Sequence, residues 1–170
     1  MIEVKVDDAH VRAVMQRVAD GAVRAAPLMQ RIAGVMADAV EENFAQEGRP
    51  KWLGLKPRSL ARGLKMGRGP AKILQDTGRL AASITTQYDN LSAVVGTNVK
   101  YAAIHQFGGT TPPHVIRPKN KKALAFSGRV VKKVNHPGSK IPARPFLLLT
   151  PQDNTRVVST VSAYLQSLAT

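Results

Sequence analysis

The sequence predicts an α+β fold: a single domain with an antiparallel β-sheet packed by a long N-terminal helix and a C-terminal helix, plus long basic loops and a hairpin arm. Apolar residues recur at helical spacing near both ends of the chain, and alternating or β-rich runs lie between them. The 170 residues, 44% of them hydrophobic, are enough for one sizeable core. We therefore expect one domain over residues 1–170.

The N-terminal segment is predicted to contain a short strand followed by a helix. Ile2–Val6 alternates apolar and polar residues, and Asp7 or Asp8 then offers a helix N-cap. Pro27 lies where a second helix begins or where one helix kinks. The residues expected on the buried face of the first helix are Val11, Val14, Met15, Val18 and Ala22.

Two longer helices are predicted from their apolar stripes. The first runs from Leu28 to a stop at Gly48, with Ile32, Val35, Met36, Ala39, Val40 and Phe44 on one face and Arg31, Asp38, Glu41 and Glu42 off it. The last helix opens at Pro151 and Asp153. Its expected buried residues are Val157, Val158, Val161, Tyr164, Leu165 and Leu168.

Prolines and glycines break up the middle of the chain. Residues 49–78 are predicted to form a basic loop with one helical turn at Ser59–Met66. A short helical turn over Leu80–Ile84 then leads into a hairpin of Ser83–Tyr88 and Ser92–Thr97, joined by Asp89, Asn90 and Leu91.

A second hairpin and another helical turn are expected further on. Tyr101–Phe107 fits a helical turn that ends at Gly108 and Gly109. Ala123–Phe126 and Arg129–Val134 flank Ser127-Gly128, which predicts a hairpin with an exposed tip rich in lysine.

The charge of the chain is strongly segregated. It has 25 Lys and Arg against 11 Asp and Glu, a net charge of +14. Between Gly48 and Gln152 there are 19 basic residues and two acids, and there is no acid from Asn90 to Gln152. This excess indicates a negatively charged partner, whether nucleic acid or an acidic protein surface.

Several classes of protein do not fit the sequence. There is no cysteine, so disulfides, thiolate metal sites and thiol nucleophiles are excluded. The histidines lack metal-site spacing, the glycine-rich stretch at Gly67–Lys72 lacks a phosphate-loop ending, and no nucleophile elbow is present. We therefore predict no catalytic residues, no metal and no cofactor. The N-terminus resembles neither a signal peptide nor a membrane span.

A group of motifs resembles the phage virion morphogenesis family, which includes tail-completion proteins of Mu-like and P2-like phages. The match spans about residues 28–168. Its most specific parts are Y-A-x-I-H-Q-F-G-G at 101–109 and R-P-F-L at 144–147. Shorter parts are W-x-x-L at Trp52, L-x-x-T-G-x-L around Gly78, and V-G-T at 95–97.

The resemblance implies a structural virion protein at the head-tail junction, with host cytoplasm as its location during assembly. It implies a homo-oligomeric ring, with a hexamer as the expected size although twelve subunits stay open, and no enzyme activity. Other neck, connector or tail-terminator proteins are the expected neighbours, and no membrane is involved. Neck, tail-completion and tail-terminator roles stay open.

The motif residues are interpreted as architecture or interface, with internal packing an equal alternative. Gly78, Gly108 and Gly109 suit positive φ or close backbone approach. Tyr101, Ile104 and Phe107 suit packing onto a core, and His105 and Gln106 point elsewhere. The remaining predicted interface residues are Trp52, Arg144, Pro145 and Phe146.

The basic segments 49–75 and 110–144 are interpreted as extended loops that act as assembly arms, because long structureless stretches usually have a function. The alternative is a nucleic-acid-binding protein that contacts phosphates through the same two segments. The candidate contacts to packaged DNA or to an acidic partner are Lys121, Lys122, Lys132 and Lys133.

Overall fold

The computed structural model describes residues 8–57, 72–119, 122–126 and 129–169. It combines helices with small antiparallel sheets and is compatible with the predicted α+β class. In chain order the elements are α1 (Ala9–Val23), α2 (Ala26–Ala45), a 3-10 turn (Ala81–Ser83), β1 (Ile84–Tyr88), β2 (Ala93–Thr97), α3 (Ala102–Phe107), β3 (Gly109–Thr110), β4 (His114–Ile116), β5 (Leu124–Phe126), β6 (Arg129–Val131), β7 (Val134–His136), β8 (Lys140–Ile141) and α4 (Pro151–Ala169).

Internal contacts divide the chain into two compact units. The helical unit comprises Met1–Val99 with Phe146–Thr170, and the arm unit comprises Lys100–Pro145. The predicted strand Ile2–Val6 and the predicted helical turn Ser59–Met66 lie outside the described residues. No helix in the described ranges is long and apolar enough to cross a membrane.

Helix α2 is the centre of the helical unit. Pro27 lies in its first turn. Of the two predicted alternatives, a second helix therefore begins there, and Pro27 does not kink a single helix. The helix packs on the β1–β2 hairpin and on α4. The predicted stop at Gly48 is confirmed: its φ is 102°, and its N–H donates to the carbonyl oxygen of Asn43 at 2.8 Å. The residues that α2 buries are Leu28, Ala33, Ala39, Val40, Asn43 and Phe44.

Helix α1 packs on α4. The Tyr164 hydroxyl donates to the carbonyl oxygen of Gly21 at 3.3 Å. The predicted buried faces of these helices are wrong at Val11, Met15 and Ala22 in α1 and at Val158 and Leu165 in α4, all of which are exposed. The reason is that each apolar stripe is wider than the contact it makes. Helix α1 buries no residue fully, and α4 buries only Asp153 and Tyr164.

The acidic residues at the starts of α1 and α4 make different contacts. Asp8 occupies the N-cap of α1, but its carboxylate binds Arg12 at 2.8 Å and caps no backbone N–H. At the start of α4, the N–H of Thr150 donates to Oδ2 of Asp153 at 2.8 Å, and the N–H of Asp153 donates to Oγ1 of Thr150 at 3.3 Å. This reciprocal capping begins α4 where the sequence predicted.

A polar network lies inside the helical unit, next to the core. Nδ2 of Asn43 donates to the carbonyl oxygens of Phe146 at 2.9 Å and Leu148 at 2.8 Å. Oδ1 of Asn43 accepts from Nε of Arg49 at 3.0 Å. Asn43 and Asp153 are almost fully buried. The network therefore ties the end of α2 to the segment that enters α4.

The first predicted hairpin is confirmed. Strands β1 and β2 pair in antiparallel register from Ile84–Thr97 to Tyr88–Ala93. The connection contains the predicted residues, and Oδ1 of Asp89 accepts from the N–H groups of Leu91 and Ser92, each at 2.7 Å. The 3-10 turn before β1 is the predicted helical turn.

Most of the arm unit is a nested antiparallel ribbon, which we call the arm (residues 109–141). Strand β3 pairs with β8, β4 with β7, and β5 with β6. Between the second and third pairs, the outgoing side has seven residues, 117–123, and the returning side has only 132 and 133. The 110–144 segment thus contains three pairs of short strands joined by irregular stretches, where an extended loop was one of the predicted descriptions.

The second predicted hairpin needs a correction. The Arg129–Val134 run is not one strand, because β6 ends at Val131 and Val134 begins β7, which pairs with β4. Lys132 and Lys133 form the link, so they lie at the base of the β5–β6 hairpin and not at its tip. Ser127 and Gly128, the predicted turn, lie outside the described residues.

Candidate functional site

The predicted site residues are distributed over both units. Trp52, Gly78 and Phe146 lie in the helical unit, and the lysines lie in the arm, with Lys121 outside the described residues. The remaining site residues belong to the arm unit: Tyr101, His105, Gln106, Phe107, Gly108, Gly109, Arg144 and Pro145.

Trp52 and Phe146 are core residues of their own chain. The Trp52 ring lies edge-on to Phe44 with centroids 6.1 Å apart, and Phe146 lies 5.5 Å from Phe44. Phe146 is fully buried. A Cβ on Gly48 would come within 2.5 Å of the Trp52 ring, so a glycine is required there for close packing as well as for its positive φ. These aromatics position the end of α2.

Gly78 has the predicted positive φ, 71°. Its carbonyl oxygen accepts from the N–H of Ala82 at 2.9 Å, which starts the 3-10 turn before β1. The role of Gly78 is therefore to form a turn within the helical unit.

The two most specific motif segments meet in the arm unit. The N–H of Arg144 donates to the carbonyl oxygen of His105 at 2.7 Å. Gly108 has φ 73°, and a Cβ there would lie 2.8 Å from the backbone nitrogen of Ala143. Gly109 follows with φ 155°. The predicted need for glycine is confirmed, and it brings residues 101–109 against residues 141–144.

The exposure of α3 differs from the prediction. Tyr101, Ile104 and Phe107 were expected to pack on a core, but Phe107 is 78% exposed and Tyr101 is also exposed. The most buried residue of α3 is Ala102, with His105 and Gln106 half-buried three and four positions on. The helix therefore turns the opposite face inward, and the large aromatic of the motif projects into solvent.

The electrostatics of this junction disfavour a positive charge on His105. Burial and then the nearby Arg144 charge lower the pKa of His105 below its ordinary value of 6.5. Burial also lowers the pKa of Arg144. Nδ1 of His105 is buried and has no hydrogen-bond partner among the described residues. A neutral imidazole is thus the form that fits this site.

The arm carries charge and apolar surface outward. It contains eight Lys and Arg and no acid. Lys122, Lys132 and Lys133 are exposed, as are Val115 and Val130. His114 and His136 face each other across β4 and β7, with stacked rings 5.0 Å apart. A two-stranded ribbon has no second layer that could cover exposed apolar side chains such as Val115 and Val130.

A groove of about 770 Å³ with apolar and polar lining residues opens beside α2 in the helical unit. One wall is α2, and the other is formed by the 3-10 turn and β1, with Lys72 and Gln75 also on the lining. Nε2 of Gln75 donates to the carbonyl oxygen of Phe44 at 2.7 Å, which fixes this segment to α2. Within the described ranges, no group of three or more His, Asp or Glu residues could hold a metal ion.

The chain is similar to known proteins along nearly its whole length. The model of the phage virion morphogenesis family matches residues 6–166. The chain belongs to this family. It is 40% identical over 169 residues to "Mu-like prophage FluMu G protein 2" of Haemophilus influenzae, covering 99% of each chain. It is 35% identical over 101 residues to "Putative capsid assembly protein G" of Escherichia phage Mu, covering 57% of this chain and 64% of that protein. No solved structure matches it significantly.

The family is one of virion morphogenesis proteins and is not a known class of enzymes. Sequence patterns alone missed the buried positions of Asn43, Arg49 and Asp153, and they missed the groove. The Thr150-x-x-Asp153 spacing was a readable capping signal. Arg49 resembled any other cation of a basic loop, because its partners lie on α2 and at the start of α4.

Proposed function

We propose that this chain is a structural virion protein at the head-tail junction, where it forms a homo-oligomeric ring, expected to be a hexamer, that joins the tail to the DNA-filled capsid. Membership of the virion morphogenesis family over nearly the whole chain supports an assembly role. The neighbours in this proposal are connector, other neck or tail-terminator proteins.

The arm is the structural observation that carries the proposal. An isolated two-stranded ribbon is at best marginally stable in water, and this one exposes Val115 and Val130 besides its cations. Both kinds of side chain gain from a partner: apolar contact removes Val115 and Val130 from water, and acidic groups pair with the lysines. A protein that acts alone has no use for such an element, whereas a subunit of an assembly does.

Electron microscopy of particles made without this protein tests the joining role. We expect separate full heads and full-length tails. Overlong tails would instead indicate a terminator role, and normal particles would exclude a role at the junction. Negative-stain images of the purified protein test the ring: closed rings are expected, and a monomer at all concentrations would contradict it.

Binding to packaged DNA is a second candidate, through residues 49–75 and 110–144. The observation that favours it is the complete absence of acids from the arm, whose described Lys and Arg side chains are all exposed. A two-stranded ribbon also fits the width of a DNA major groove. Phosphate contacts release counterions, so affinity for duplex DNA would fall steeply with added salt.

A charge-reversal pair separates the two candidates. Lys132→Glu with Lys133→Glu would weaken duplex binding and flatten its salt dependence if the arm contacts phosphates. Arg17→Glu with Arg24→Glu, which makes the same change of charge on α1, is the matched control. Loss of assembly without any effect on DNA binding would favour the protein-contact role.

A further inference from the structure

Folding leaves two surfaces of opposite shape on this chain. Phe107 projects from α3 and is 78% exposed, although it lies in the most specific motif of the sequence. The groove beside α2 is concave and open to solvent, and its lining combines apolar and polar residues. An exposed phenylalanine loses the free energy that its burial would yield. Its exposure at a motif position therefore points to an intermolecular contact.

Part of the groove lining suits an aromatic ring. Val40 and Phe44 are on the lining, and both are buried in the helical unit. Several alanines share the lining, and their side chains occupy little space. These are Ala37, Ala45, Ala81 and Ala82.

The surface around Phe107 and the groove also differ in charge. From Ile32 to Gly48 the chain has four acids and no base, and one of them, Glu41, lines the groove. Asp38 and Glu42 form ion pairs with Arg156 and Arg49, and Glu47 accepts from the N–H of Ile73. Glu41 is the acid of this stretch that lines the groove and has no such contact among the described residues. The arm unit that presents Phe107 contains ten Lys and Arg and no acid, and Lys100 precedes the motif directly. Lys72 is the opposing cation on the groove lining.

We infer that Phe107 of one copy of this chain inserts into the α2–β1 groove of the next copy. The contact is heterologous, since Phe107 and the groove are different surfaces. Such contacts generate a closed ring when repeating the rotation between neighbouring copies returns to the first copy. The inference rests on the proposed ring and names the surfaces that build it. Phe107 supplies the central anchor, and the cations of its unit lie close enough in sequence for one of them to pair with Glu41 on the groove lining.

The absence of cysteine makes a direct test possible. Ala103→Cys and Ala82→Cys are made in separate chains, purified, mixed in equal amounts and oxidised mildly. Ala103 is exposed on α3 one turn before Phe107, so the anchor ring stays in place. Each chain then has a single thiol, so a disulfide between the two variants must join different copies. We expect this mixed disulfide as the main product, and Ala45→Cys in place of Ala82→Cys gives an independent second groove position.

Leu91→Cys is the matched control, because Leu91 is 90% exposed at the tip of the β1–β2 hairpin and away from the groove lining. Equal cross-linking of Ala103→Cys to Leu91→Cys and to the groove would reflect random collision and overturn the inference. A disulfide only between two Ala103→Cys chains would indicate a two-fold contact and overturn it as well.

Association measured on cysteine-free chains gives a second readout. Phe107→Ala is expected to weaken self-association about thirtyfold or more in sedimentation, the effect of truncating an anchor residue. Leu91→Ala should leave it unchanged. If rings form but the cross-link does not, and Phe107→Ala does not weaken association, the contact between Phe107 and the groove is wrong and the ring proposal still holds. If wild-type protein never associates, the ring proposal fails and this contact fails with it.

Discussion

Arg49 and Asp153 are 104 positions apart in the sequence and form a two-point ion pair inside the helical unit. Nη1 of Arg49 donates to Oδ1 of Asp153 at 3.2 Å, and Nη2 donates to Oδ2 at 3.0 Å. The Arg49 side chain is 12% exposed and that of Asp153 is 1% exposed. The pair holds the loop after α2 to the first turn of α4.

Removing the cation should be costly. Arg49→Met removes the cation that bonds both carboxylate oxygens of buried Asp153, so we expect the free energy of unfolding to fall by about 3 to 5 kcal/mol. Chemical denaturation measures this. The control is Arg12→Met, whose ion pair with Asp8 is exposed on both sides and is expected to contribute no more than about 1 kcal/mol. Equal losses for the two variants would contradict the role of Arg49.

Stability at acid pH should depend on Asp153. Burial alone would raise the pKa of this carboxyl, but hydrogen bonds from Thr150 and Arg49 and the charge of Arg49 together lower it below 3.8. A lowered pKa in the folded state gives stability that is complete above the unfolded value and is lost as pH falls through the folded value.

Denaturation curves of wild type and Asp153→Asn from pH 7 to pH 2.5 test this dependence. The stability difference between them should be constant at neutral pH and shrink below about pH 4. Hydrogen bonds from Leu91 and Ser92 lower the pKa of Asp89 as well, but Asp89 is present in both proteins and its contribution cancels. A difference that stays constant down to the lowest pH would show that Asp153 does not titrate as described.

His105 should destabilise the arm unit in weak acid. Its pKa is lowered by burial and by Arg144, so the unfolded chain takes up a proton at a higher pH than the folded one. The stability gained at neutral pH is therefore complete above about pH 6.5 and decreases as pH falls toward the folded pKa. Denaturation followed by NMR signals of residues 101–145 should show this decrease, and His105→Leu should remove it. An unchanged slope in the variant would assign the effect to another group.

Two glycines should respond in opposite directions to alanine. Gly108 has φ 73° and lies against the backbone of Ala143, so Gly108→Ala should destabilise the arm unit by more than about 1 kcal/mol. Faster amide exchange at Arg144, whose N–H bonds to His105, would report it. Gly34 lies inside α2, and a Cβ added there would meet no atom within 4 Å, so Gly34→Ala should stabilise the protein by about 0.5 to 1 kcal/mol. Destabilisation by both would contradict this distinction.

Local signals predicted most elements, and long-range contacts decided what local signals missed. Pro27, Gly48 and Gly108 act within one turn of their own positions, so they could be read directly. The exposure of Val158 and the burial of Arg49 depend on which neighbours each side chain meets across the fold. Helical periodicity predicts which residues form an apolar stripe, but it does not predict which element packs against that stripe.

The arm and the motif illustrate the same limit at the candidate site. The pairing of β5 with β6 is local and could be predicted, but the pairing of β7 with β4 depends on a register set eighteen or more positions away. Phe107 was expected to pack inward because its spacing fits a helix face, yet Ala102 fills that role. The family motifs identified which residues matter, and the structure was needed to show which of them face outward.

The nested pairing of the arm closes at its base. The N–H of Thr111 donates to the carbonyl oxygen of Ser139 at 2.9 Å, and the N–H of Ser139 donates to Oγ1 of Thr111 at 2.8 Å. The chain thus enters the ribbon at Thr111 and leaves it at Ser139, and these two residues are hydrogen-bonded neighbours. We therefore expect that the ribbon can be shortened, extended or replaced between these two residues while Gly108, Arg144 and the helices keep their contacts.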